Sequence, residues 1–180
     1  PFTMPASFWN DHYQGIFKAN MLITKLPETT MDEVEKARFE AESKAVRAMC
    51  YFNLVRMFKN VPLILEPVSA ADMYTIVQET PENVYAQIEK DLTEAIALLP
   101  NTLTEEEYGR FTKGAAQAML GKVYLYENKG ALAAAQLAEV NGTPGGTSQY
   151  GYSLLPNFSD LWVVPNKYNS ESILFTAHTN

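Results

Sequence analysis

Apolar residues return every three or four positions along most of the first 140 residues of this chain, which is a helical period. The first such segment, about Phe8 to Leu26, carries Trp9, Tyr13, Ile16, Phe17, Asn20 and Ile23 at that spacing. Ser7 is placed to cap its start and Pro27 to end it. The second opens at Thr30-Met31-Asp32-Glu33, which reads as a capping box. Its stripe runs through Val34, Ala37, Ala41, Ala45, Ala48, Phe52 and Val55, with charge crowded on the other side of its first half. Glu40 and Lys44 form a favourable i,i+4 pair there. From Met49 onward the segment is apolar nearly all round, which predicts a buried C-terminal half. Asn60 suits a left-handed helix end, and Pro62 prevents continuation.

Residues 63–79 show no period and read as a connection. Thr80-Pro81 starts a third helix with Val84, Tyr85, Ile88, Leu92, Ala95, Ile96 and Leu99 on its inner face, and Pro100 stops it. Thr112 caps a fourth, running to about Asn128. Its small residues Ala115, Ala116, Ala118 and Gly121 let a neighbouring helix approach closely. A fifth, Ala-rich helix spans about Ala131 to Val140. After Gly142 the character changes: NGTPGGTSQYG is turn-rich, YSLLPNFSDLWVV follows, and SESILFTAH reads as a short strand. This predicts a helical scaffold over residues 1–142 and a loop-rich extension over 143–180 within the same domain. Ala45 and Arg47-Ala48-Met49 align with Ala115 and Gln117-Ala118-Met119 at an offset of 70, and Tyr13 and Ile16 with Tyr85 and Ile88 at 72. That offset equals about two 34-residue tetratricopeptide units, in which each hairpin buries its apolar face on the next.

With 180 residues, 47% of them hydrophobic, the chain can bury a substantial core. A net charge of -7 and no basic run argue against a nucleic-acid surface or a polybasic lipid-docking patch. The single cysteine, Cys50, lies in an apolar helical pattern and reads as a small buried hydrophobe. No run of about 18 apolar residues occurs. No signal peptide is visible and the chain opens at PFTMPASFW without an initiator Met, so a piece of a longer protein is expected.

Candidate chemistry is sparse. His12 and His178 are the two histidines, far apart and without flanking Cys or His, so no metal site or other cofactor is expected. The carboxylates Asp91 with Glu94, and the run Glu105-Glu106-Glu107, invite comparison with the paired acids of glycosidases. Their positions, beside an apolar stripe and in a loop, read instead as a solvated face or a structural ion pair. Arg47 sits among apolar neighbours and needs a carboxylate; Asp91 or Glu94 is its expected partner, in a fold-stabilising role. The glycines at 142, 145 and 146 are not followed by the Lys and Ser/Thr of a phosphate loop. Aromatics, 12% of the chain, are the remaining resource. Tyr74, Tyr108, Tyr150, Tyr152, Trp162 and Tyr168 fall outside helices, where ligand contacts concentrate. Trp162, beside Asn157, Asp160 and Asn166, combines a flat face with amide and carboxylate neighbours. Trp162, Tyr74, Tyr152 and Asn157 are the candidate ligand contacts, and no residue is expected to be catalytic.

Five pieces stand in a telling order. Trp9, Tyr13, Ile16, Ala19 and Asn20 come first, then Glu40-Ala41, Arg47-Ala48, Tyr51-Phe52, Leu54, Phe58 and Val61-Pro62-Leu63. Val84-Tyr85, Gln87-Ile88, Asp91-Leu92, Ala95 and Leu99-Pro100 follow, then Gly109-Arg110, Thr112 to Ala116, Ala118, Leu120 and Val123 to Tyr126. Tyr152, Leu154, Asn157-Phe158, Leu161, Asn169 and Glu171 to Ile173 close the series. In this order the pieces resemble the SusD/RagB family of surface glycan-binding lipoproteins. Members of that family are longer and carry a lipidated N-terminal cysteine, for which Cys50, inside a helix, is no substitute.

The resemblance implies an all-α fold of tetratricopeptide-like hairpins with long loops and a minor short β-strand near the C-terminus. It implies non-catalytic capture of an oligosaccharide or related nutrient and delivery to a SusC-like TonB-dependent transporter. The intact protein would be lipid-anchored at the outer membrane and exposed at the cell surface. A helical-repeat adaptor for a protein or peptide, and a carboxylate hydrolase, are the competing readings. An exposed apolar patch is expected on the side of helices 3 to 5, where further repeats would stack.

Overall fold

The computed structural model describes residues 5–163 and 168–175 and divides the chain into two compact units, Pro1–Leu98 and Leu99–Asn180. The first holds helices α1 (Ala6–Lys25), α2 (Glu33–Phe58) and α3 (Pro81–Leu98), with the two-residue strands β1 (Val61–Pro62) and β2 (Gln78–Glu79). The second holds α4 (Lys113–Tyr126), α5 (Gly130–Asn141) and the turns that follow. The fold is all-α and built of helical hairpins, as the periodicity and the family resemblance imply.

In the first unit α2 lies between α1 and α3, antiparallel to both. Phe8 and Trp9, at the start of α1, meet Phe58 at the end of α2. Further along, the His12 ring lies beside the Asn53 amide, and Asn20 meets Arg47. Against α3 the pairs run Phe52 with Tyr85, Arg47 with Asp91, and Lys44 with Glu94. The shared core is Ile16 and Ala19 of α1, Ala41, Ala45, Ala48, Tyr51, Leu54 and Val55 of α2, and Val84, Ile88, Leu92 and Ala95 of α3. Alanine at three successive turns of α2 is what admits a helix on each side.

Several local expectations shift by a few residues. The α1 start is capped by no side chain, and Ser7 lies inside the helix. The α2 cap is Asp32, whose carboxylate accepts from the Val34 and Glu35 amides, so Thr30 and Glu33 form no capping box. Val34, 80% exposed, lies off the core stripe. Lys59, not Asn60, takes the positive φ that ends α2. The Asn60 amide instead donates to the Glu79 carbonyl. Thr112 caps α4 by accepting from the Ala115 amide.

Residues 61–65 run extended with little sheet to satisfy them, because β1 pairs only with the two residues of β2. Side chains do that work. The Tyr51 hydroxyl donates to the Ile64 carbonyl and accepts from the Ile64 amide. Tyr13 donates to Pro62 O at 2.8 Å, and Asn20 Nδ2 to Ile64 O at 2.9 Å. Arg47 binds Leu65 O at 3.2 Å.

Arg47 is the centre of this arrangement. Its Nε and one terminal nitrogen each reach an oxygen of Asp91 at 2.8 Å, a bidentate pair. Its other terminal nitrogen donates to Asn20 Oδ1 at 2.8 Å. Asp91 also accepts from Gln87, and Arg47, Asp91 and Asn20 are all buried.

In the second unit α5 folds back on α4, and Gly121 makes the contact possible. A Cβ at Gly121 would lie 2.7 Å from Leu137. Leu125, Tyr126 and Leu132 of α4 and α5 stay exposed, an apolar surface on this hairpin. The residues after Gly142 pack on α4, with Tyr150 buried against it. The described part of SESILFTAH, through Phe175, is turns rather than a strand. Among the described residues the strand pair lies instead at 61–62 and 78–79. Ser170 makes one backbone and one side-chain bond to Ser153, and the Glu171 carboxylate accepts from Leu155, which makes no ladder.

Asp91→Ala would strand a buried guanidinium. It is expected to destabilise the protein by about 3–5 kcal/mol in urea unfolding, and a loss below about 1 kcal/mol would show the pair to be dispensable. Burial also raises the Cys50 thiol from 9.0 to about 11 and raises the Tyr13 and Tyr51 phenols above their ordinary range. The unfolded chain therefore ionises first. The stability these groups contribute is complete below pH 9 and is lost as pH rises toward and past 11. Each contributes a slope of about 1.4 kcal/mol per pH unit while only the unfolded form is ionised. Urea midpoints should fall as pH rises from about 9 to 11, where the thiol is ionised only in the unfolded chain, and a flat profile there would contradict the burial of Cys50.

Candidate functional site

Ser148 to Tyr152 make a tight turn on which the site of the second unit is built. The Ser148 amide donates to Tyr152 O at 2.8 Å and the Gly151 amide to Ser148 O at 2.9 Å. The Ser148 hydroxyl accepts from the amides of Tyr150 and Tyr152. Gly151 has φ +82°, a left-handed value that glycine adopts at little cost. The turn sends two tyrosines onto α4. The Tyr150 hydroxyl donates to Gln117 Oε1 at 2.5 Å, and the Tyr152 hydroxyl lies 3.0 Å from the cap hydroxyl of Thr112. Gly114 makes room for both, since a Cβ there would fall 2.6 Å from the Tyr152 ring and 3.0 Å from that of Tyr150. Burial raises both phenols, so they stay neutral hydrogen-bonding groups.

A cavity of about 250 Å³ opens beside Tyr152. Tyr108, Tyr168 and Phe175 form a cluster at its edge, with ring centroids 4.6 Å apart for Tyr108–Tyr168 and 4.9 Å for Tyr168–Phe175. Asn101, Thr102, Asn169 and Ser170 supply amide and hydroxyl groups among the rings. Arg110 is the one charged side chain among the described lining residues, and it pairs with Glu107 at 3.5 Å. The chemistry on offer is flat apolar faces for C–H groups and neutral donors and acceptors for hydroxyls.

The candidate contacts are distributed differently. Tyr152 lines this cavity. Trp162 ends a short 3-10 turn, Phe158–Trp162, and Asn157 immediately precedes it, its amide donating to Asp160. Trp162 is 75% exposed and stands edge-on to Phe158 with centroids 6.0 Å apart. Asn166, named beside it, is outside the described residues. Tyr74 belongs to the first unit, 95% exposed in the turn Asp72–Thr75 with Met73 and Val77 exposed nearby. Tyr108 and Tyr168 were legible as non-helical aromatics; Phe175 and the Asn169 amide were not, because they fell in and beside a segment read as a strand.

The first unit holds a charged cleft as well. Asp91 is committed to Arg47, and Lys44 joins Glu40 at 2.5 Å and Glu94 at 2.8 Å. Among the described residues no group of His, Cys, Asp and Glu is arranged for a metal. His12 makes structural contacts, with Nδ1 2.6 Å from the Phe8 carbonyl and Nε2 3.0 Å from Asn53. His178 lies outside the described residues. No described helix is long and apolar enough to cross a membrane.

Residues 3–125 match the family model for SusD-like proteins described as "Starch-binding associating with outer membrane". A solved laminarin-binding SusD-like protein shares 59% identity over 97% of this chain, with a TM-score of 0.93. A SusD-like protein from Bacteroides fragilis shares 29% identity over 96% of the chain, with a TM-score of 0.86. A SusD-like protein of Formosa agariphila, P2, is 31% identical over 96% of the chain. The chain spans about a third of the length of these proteins, 38%, 33% and 34% respectively. By its family-model match and the agreement of its fold with these structures, the chain belongs to the SusD-like family.

Proposed function

We propose that this chain is part of a protein that captures oligosaccharide, or a related nutrient, without cleaving it. The observation that carries the reading is the aromatic cavity bordered by Tyr108, Tyr152, Tyr168 and Phe175. A sugar ring offers C–H patches to aromatic faces and hydroxyls to amides and phenols, and these are the groups present. The family's description as starch-binding and the laminarin-binding neighbour support the same ligand class. Trp162, Asn157 and Tyr74 are further contacts in this proposal, offering rings and an amide at the surface. The family's association with the outer membrane supports lipid-anchored display at the cell surface and delivery to a SusC-like TonB-dependent transporter. The helices then serve as a rigid mount.

Hydrolysis is less well supported. A glycosidase acid needs a raised pKa. The hydrogen bond from Lys44 instead holds Glu94 below its ordinary carboxylate range. The adaptor reading draws on the exposed apolar groups Met73, Tyr74 and Val77.

Calorimetry of the full-length protein with laminarin, joined to product analysis, tests the proposal. Binding without new reducing ends is expected. Tyr168→Ala and Tyr108→Ala should each weaken it at least about tenfold, or about 1.4 kcal/mol. Release of shorter products would favour the hydrolase. Wild-type affinity in both variants would remove this cavity as the site, and silence toward glycans with binding of a peptide would favour the adaptor.

A further inference from the structure

We propose that the glycan site continues past Tyr152 into a second cavity, so that it holds several units of an uncharged sugar chain rather than one terminal ring. This rests on the capture reading above. The first cavity, about 250 Å³, lies below the range of roughly 300–1,000 Å³ usual for small-molecule sites. The second is about 460 Å³, and Tyr152, Ser170 and Ile173 border both. Taken as one site, they fall inside that range.

The shared border is fixed. Ser153 N donates to Ser170 O at 3.0 Å, the Ser170 hydroxyl to Ser153 O at 2.9 Å, and Leu155 N to Glu171 Oε1 at 2.7 Å. Tyr152 is held from its far end by Thr112. The outer wall of the second cavity is the turn from Gly142 to Gly146, closed by a bond from Gly146 N to Thr143 O. At Gly145 a Cβ would meet nothing within 4 Å, so that side stays open.

The lining names the ligand class. Leu154, Pro144 and Ile173 offer apolar faces; Thr143, Asn141 and Ser153 offer neutral polar groups. Glu171 is the one charged residue among the described lining of the second cavity, and Arg110 of the first. Neither cavity gathers the several cations that a sulfated or uronic chain would require.

Thr143→Trp, which fills the second cavity, and Leu154→Ala, which trims its wall, test this; both positions are exposed, so neither change disturbs packing. Calorimetry of the full-length protein would compare a laminarin-derived disaccharide with a hexasaccharide. Each variant should lower the ratio of hexasaccharide to disaccharide affinity by at least about threefold, while Tyr168→Ala weakens both ligands about tenfold. A smaller change in that ratio in both variants, with Tyr168→Ala still effective, overturns the second subsite alone. No effect of Tyr168→Ala on either ligand overturns the capture site with it.

Discussion

A guanidinium cannot shed its charge when buried, so every N–H it carries into the interior must be met. Arg47 of α2 meets this demand with groups from three other places: both oxygens of Asp91 on α3, the Asn20 amide on α1, and the Leu65 carbonyl. No slide of one helix along another by a residue preserves all four bonds. The pair is not evidence of net stability over an apolar equivalent, because desolvation consumes much of the Coulombic gain. Its effect is registry. It sets α1, α2 and α3 in one alignment, and through Asn20 and Leu65 it holds the extended segment that leaves α2. The excursion carrying Tyr74 therefore starts from a fixed point and returns through the β1–β2 pair.

The second unit reaches comparable order without a buried ion pair among its described residues. Its organiser is a turn, 148–152, whose backbone and serine hydroxyl satisfy one another, together with two glycines of different roles. Gly151 permits the turn and Gly114 permits the contact. The result is an aromatic wall in which the Tyr150 and Tyr152 hydroxyls are anchored at Gln117 and Thr112. Such a wall suits a neutral polyol, whose binding depends on matching many weak donors and acceptors while covering apolar C–H surface.

Helix existence and core faces were legible because burial imposes a period. Ile16, Ala45, Ala48, Val84, Ile88 and Leu92 are buried where the spacing places them. The need of a buried arginine for an acid was legible too, since the alternative costs several kcal/mol. Helix ends were less so: Asp32 took a capping role open to Thr30 as well, and Lys59 a positive φ that local propensity assigns to Asn60. The cavity was only half visible. Tyr108, Tyr152 and Tyr168 could be flagged as loop aromatics, but their gathering depends on bonds between residues 153 and 170 and between 155 and 171. Those contacts have no periodic signature. β-branched and aromatic content read the last segment as a strand, whereas it is held by isolated bonds in turns.

The offset repeat connects these points. Tyr13 and Ile16 correspond to Tyr85 and Ile88, and in each pair the isoleucine is buried and the tyrosine half-buried. Arg47 corresponds to Gln117, and both are buried polar groups, one on α2 and the other on α4. The charged member recruits a carboxylate and locks helices together. The neutral member accepts from the Tyr150 hydroxyl and orients a loop instead. One position in the repeated unit thus supports two outcomes, and the charge of its side chain decides between them. Where the chain needs a rigid mount, the position is ionic. Where it seats an aromatic turn on a helix, the position is an amide, which meets the tyrosine hydroxyl without bringing a buried charge that would need a partner.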